Sequence, residues 1–127
     1  MSNEHAIGLL GALLIGGSFF LLGATWFVRN GNAGILGGVI GGAPVPYEFR
    51  WRVLWSVQLP IIMNTGVVAL LFGFLFLQVA EKVEDAPIST LAWVCSFVFF
   101  TFSAMYLFTG PFVIAANARA LREMAPR

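Results

Sequence analysis

Three long apolar runs separated by short polar segments set the plan of this chain. The first, Ala6 to Val28, holds no charged residue. At 1.5 Å per helical residue it spans ~35 Å, enough to cross a hydrocarbon core of ~30 Å with some tilt. The second, Val53 to Ala80, is equally free of charge. Its ~42 Å exceeds the core, so it tilts, kinks or projects. The third, Pro87 to Ala118, is longer still and is interrupted by Gly110 and Pro111. None shows the two-residue alternation over about ten residues that marks a barrel strand. The pattern predicts an all-α membrane protein, a three-transmembrane-helix bundle in a single domain, with helices near 6–28, 53–80 and 88–118.

The segment from Arg29 to Arg52 joins the first two runs. Its part from Gly31 to Pro46 is glycine-rich and apolar but too short for an ordinary span. A surface or interfacial loop is the expectation. A re-entrant segment is the alternative, and it needs protein around it to satisfy its backbone. The sequel from Pro46 to Trp55 mixes aromatic and cationic side chains, as a helix entrance at the headgroup level does. Within a helix there, Glu48 and Arg52 stand at i,i+4, the spacing of an ion pair.

Composition supports membrane residence. Of 127 residues, 59% are hydrophobic and only 10% are charged, with a mean hydropathy of +0.88. Soluble domains carry about 25% charged residues, and a domain this small needs a large water-facing surface. Lipid must cover much of it. The first five residues contain Glu4 and no Lys or Arg, unlike the basic start of a signal peptide, so the first run reads as a retained membrane helix.

Charge placement gives an orientation. Arg29, Arg50, Arg52, Arg119, Arg122 and Arg127 share one side of a three-span protein, against Lys82 alone on the other. The positive-inside rule puts the six in the cytoplasm and the N-terminus outside. The expected location is a bacterial inner membrane, crossed several times. Arg29, Arg50, Trp51, Arg52, Trp55, Arg119 and Arg122 are the expected contacts to lipid headgroups, anionic ones on the cytoplasmic side.

Small residues mark candidate helix contacts. Gly8, Ala12 and Gly16 repeat at spacing four in the first run, and Gly66 and Gly73 repeat the device more weakly in the second. Such residues let backbones approach where no hydrophobic effect drives association. Pro60 and Pro111 each remove a helical hydrogen bond and clash with the preceding turn, so two helix kinks are expected at similar depth. Asn64 falls near the bilayer middle, at the same level as Ser18 and the stretch from Ser103 to Tyr106. These intramembrane polar residues are expected to act as interhelical glue rather than to line an ion or quinone path. The third run carries many phenylalanines spread around the helix, which suits lipid and partner contacts on several sides.

Missing chemistry shapes the functional expectation. No Asp, Glu, Lys, Arg or His lies within a span, although proton relays and charged-substrate pathways normally use one. Cys95 stands alone in an apolar run and His5 alone before one, so neither a disulfide nor a metal site is expected. No catalytic set, cofactor or nucleic-acid partner is expected. The leading expectation is a non-catalytic accessory or anchor subunit of a larger multisubunit membrane complex, energy-transducing complexes being one class. It would contribute helix packing and assembly stability, with other membrane subunits and lipids as partners. One alternative is a small homo-oligomeric channel or transporter with its path near Asn64, Pro60 and Pro111. Another is a membrane tether whose basic cytoplasmic face recruits a soluble protein.

Overall fold

The computed structural model describes residues 1–126; Arg127, one of the six cations used for orientation, lies outside them. The chain forms three helices long and apolar enough to span a membrane: α1 (Asn3–Gly37), α2 (Tyr47–Lys82) and α3 (Ala86–Glu123). They contain 35, 36 and 38 residues, or ~50–57 Å each, well beyond a ~30 Å hydrocarbon core. The fold is an all-α three-helix bundle.

Local chemistry sets the helix ends. Ser2 caps α1 by accepting the His5 N–H at 3.2 Å, and Glu4 in the first turn complements the helix dipole. Asp85 caps α3 by accepting the Ile88 N–H at 3.3 Å, with Pro87 in the first turn, where its missing N–H costs nothing. At the far end of α1, Gly38 takes φ +75° and its N–H bonds the Gly34 carbonyl at 2.8 Å. This left-handed residue stops the helix.

The glycine-rich segment differs from the expected loop. Residues 31–37 continue α1, and the chain then reverses in a two-stranded hairpin, β1 (Val39–Ile40) and β2 (Ala43–Pro44). Gly41 and Gly42 form its turn with φ of +60° and +81°. Two successive positive φ values match the right-handed twist of a hairpin, and glycine adopts them without strain. The connection left between the helices is this short exposed hairpin, a surface loop narrower than expected, and not a re-entrant segment.

The principal seam runs between α2 and α3. Ile62, Gly66, Ala69, Gly73, Phe76 and Ala80 of α2, and Val83 just past its end, are all buried, alternating by four and three residues. Ala92, Ser96, Phe99, Ser103 and Gly110 of α3 are buried against them. Alternation by three and four is the spacing of knobs-into-holes packing. α1 closes the bundle through Ala6, Leu10, Gly17 and Leu21, with Gly17 against the rings of Phe99 and Phe72. Two clusters of buried residues result. One occupies the half containing the α2–α3 turn. The other gathers Ile35, Leu54, Ile62, Ile114, Ala118 and Leu121 at the basic end. Tyr106 packs against both.

Candidate functional site: the polar level inside the bundle

Each of the two prolines follows a π turn. Leu54–Gln58 and Met105–Thr109 are π-helical, and each ends two residues before a proline, Pro60 and Pro111. A proline ring collides with the carbonyl four residues earlier, here Ser56 and Leu107; both carbonyls belong to the widened turns. Leu59 N–H accordingly bonds Leu54 O, five residues back. A π turn inserts a residue into the helical phase and so redirects the side chains around it. The two prolines sit at similar depth, because a Cβ at Gly110, beside Pro111, would overlap Ile62, two residues beyond Pro60. The π turns themselves are offset along the bundle, since Tyr106 and Leu107 of the second face Gly66, eight residues past Gln58.

The first π turn delivers Gln58 to the interior. Its side chain is fully buried, and Nε2 donates to Val28 O at 2.9 Å and to Asn32 Oδ1 at 3.0 Å. Gly31 leaves the room for it. Gln58 Oε1, together with Asn117 Nδ2 on α3, is buried without a hydrogen-bond partner. At the second π turn, the hydroxyls of Tyr106 and Thr25 bond each other and join α3 to α1.

A ladder of serines ties α3 to α2. Ser89, Ser96 and Ser103 donate to the carbonyls of Ala80, Gly73 and Gly66 at 2.8, 2.8 and 2.7 Å. Donors and acceptors both recur every seven residues. The small acceptor residues let the serine hydroxyls reach a backbone that larger side chains would cover, and each bond removes a polar group from lipid. Gly66 and Gly73 therefore serve two ends, close approach and carbonyl access. Cβ atoms there would come within 2.6 Å of Leu107 and 2.7 Å of Phe100.

Other residues singled out in the sequence lie elsewhere. Gly8, Ala12 and Gly16 are exposed, and Cβ atoms at Gly8 and Gly16 would meet nothing within 4 Å. Of the glycines in that first apolar run, Gly17 is the one whose added Cβ would meet another helix. Asn64 is exposed on the side of α2 away from α3 and makes no side-chain hydrogen bond among the described residues. It does not reach Ser18, which is half-buried, nor the Ser103–Tyr106 stretch. The common polar level therefore splits: Ser103 and Tyr106 bond within the chain and Asn64 turns outward. Gln58, Ser89 and Ser96 were missed. The seven-residue recurrence of serine in α3 was the available signal for the last two.

At the basic end, Arg50 is not free for a headgroup. Its Nη1 donates to Ile35 O at 3.2 Å, and its guanidinium carbon lies 5.5 Å from the centroid of the Tyr47 ring. A cation on a terminal carbonyl of α1 satisfies an orphan acceptor and complements the dipole. Tyr47 Oη donates to Leu121 O at 2.9 Å on α3, and Trp51 packs edge-on to Tyr47 with centroids 6.3 Å apart. The first turns of α2 thus clip the ends of both neighbours. Arg29, Arg52, Trp55, Arg119 and Arg122 remain exposed. Glu48 and Arg52 form no ion pair among the described residues, both side chains being exposed.

Among the described residues no cluster of three or more His, Cys, Asp or Glu side chains could hold a metal ion. Comparison with protein-family models, with characterised proteins and with solved structures gives no match for this chain.

Proposed function

We propose that this protein is a non-catalytic accessory or anchor subunit of a larger membrane complex, packing against other membrane subunits through faces its own helices leave uncovered. The observation that carries the reading is Asn64. Its exposed side chain lies twelve residues beyond Arg52 on α2, about 18 Å along the axis. With Arg52 at the headgroup level, that is close to the bilayer centre. A free amide in hydrocarbon costs several kcal/mol on the order of an unsatisfied polar group. A neighbouring subunit that offers a donor or acceptor at this depth removes that cost. The outward stripe of Gly8, Ala12 and Gly16 adds a place for a second helix to approach closely.

The orientation belongs to the same proposal. With Arg29, Arg50, Arg52, Arg119 and Arg122 at one end and only Lys82 at the other, the positive-inside rule places the N-terminus outside and the C-terminus in the cytoplasm of a bacterial inner membrane. The exposed arginines then face anionic lipid.

Purification of the tagged protein from its native membrane in a mild detergent tests the reading. Larger membrane proteins at fixed stoichiometry are expected. A pure homo-oligomer would replace the reading with the channel or transporter alternative, in which Asn64 side chains of several copies face one another. A soluble protein as the sole partner would favour the tether.

A further inference from the structure

The hydroxyl pair beside the second π turn has one proton too many. Thr25 and Tyr106 bond each other, and whichever donates, the other hydroxyl keeps its own proton. Thr65 and Thr101 place theirs on the carbonyls of Ile61 and Phe97, four residues back; Thr25 makes no such bond among the described residues. One O–H donor is therefore left without an acceptor in an apolar environment, where unmet donors are costly.

The pair lines a cavity of about 230 Å³ between α1 and α3, closed at the back by buried Ile62 and opening outward past Phe102, Met105 and Val113. A dry cavity of about 150 Å³ accepts benzene, so this one has room for a substituted six-membered ring. Its depth narrows the choice of occupant. Gln58, bonded to Val28 O, lies six residues from Arg52, and Thr25 lies three residues beyond Val28. Counted along α1 the pair lies about 13 Å inside the Arg52 level, and counted through Tyr106, which packs beside Gly66, about 21 Å. Headgroup layers are only about 5–7 Å thick on each side of the hydrocarbon. Phospholipid ester carbonyls therefore lie nearer the surface than this donor.

We propose that the cavity binds a quinone, its ring between α1 and α3, one ring carbonyl accepting the spare Thr25–Tyr106 proton, and its alkyl or isoprenoid tail leaving through the opening into lipid. The carbonyl supplies the acceptor that the protein lacks. The ring fills a space whose surface is almost entirely apolar, Thr109 being the one further hydroxyl-bearing residue in its lining. Binding alone is proposed, with no electron transfer by this chain.

The test uses the full chain in quinone-free phosphatidylcholine nanodiscs, titrated with decylubiquinone and followed by infrared difference spectroscopy of the quinone carbonyl. Saturable one-to-one binding is expected above simple partition into lipid, with the carbonyl band moved to lower frequency by the hydrogen bond. The double variant Thr25→Val with Tyr106→Phe keeps both shapes and removes both hydroxyls; binding should weaken at least tenfold and the shifted band should vanish. Val113→Trp, at a partly exposed position, should block the cavity while leaving the hydroxyls in place. Uptake no greater than in empty nanodiscs overturns the proposal, as does unchanged binding by the double variant. A tightly held phospholipid that decylubiquinone cannot displace overturns it as well.

Discussion

A methyl group at Gly31 would stand 2.6 Å from the carboxamide carbon of Gln58. The amide cannot simply swing away, because it is fully buried and anchored to Val28 O and Asn32 Oδ1. Gly31→Ala should therefore expel the amide or separate α1 from α2, costing roughly 1–3 kcal/mol. Once Gln58 is shortened to Ala, the same Gly31→Ala change should cost little. Thermal unfolding of the single and double variants in detergent measures this coupling. Equal losses in both backgrounds would refute the steric account.

The serine ladder gives a graded series. Ser96→Ala and Ser103→Ala each delete a hydrogen bond to a backbone carbonyl that keeps its own helical partner. Losses near 0.6 kcal/mol each are expected, the average for interhelical bonds in membrane proteins. Gly73→Val should be far worse, since Phe100 occupies the space of the new side chain. Reversible unfolding of the three variants should rank Gly73→Val well below both serine changes; serine losses as large as the glycine loss would show that the bonds, and not close packing, hold the seam.

Arg50 provides a test at the basic end. Its guanidinium meets both Ile35 O and the Tyr47 ring, so Arg50→Gln should loosen the end of α1 by about 1 kcal/mol. Arg52→Gln, at an exposed position, should leave stability almost unchanged. Hydrogen exchange at Gly34 to Gly38 reads the difference, and equal exchange in the two variants would show that Arg50 does not cap the helix.

The apolar runs made the three spans legible, because length and hydropathy act over twenty residues and tolerate local error. Gly66, Gly73 and Ser103 were legible as contact positions for a related reason: each lies on a regular stretch of helix. What failed was the fine phase. The α1 contact falls on Gly17, one residue from Gly16, and glycine spacing alone does not say which stripe a neighbour uses. Gln58 turns inward from within a π turn, where a projection at 3.6 residues per turn no longer holds. Arg50 looked like its exposed neighbour Arg52. Only the end of α1, extended to Gly37 by residues that resembled a loop, brings a carbonyl within its reach.

Asn64 and Gly16 carry the last prediction, because both point away from the bundle. Changes there should spare the isolated chain and damage only what it assembles with. Asn64→Leu removes an exposed amide and breaks no bond made among the described residues, so the purified subunit should unfold at an unchanged or slightly higher temperature. In the native membrane the same variant should assemble less well, by about 1 kcal/mol, the size of one interhelical hydrogen bond. Gly16→Leu places a large side chain where a Cβ meets nothing within 4 Å; it too should leave the subunit's own stability intact. Its effect on assembly should be larger than that of Asn64→Leu, because it holds apart two backbones along the whole contact. Co-purification yields set against melting temperatures separate the two effects for each variant. If both variants assemble normally, these faces contact lipid alone, and the subunit must meet its complex through another surface or belong to none.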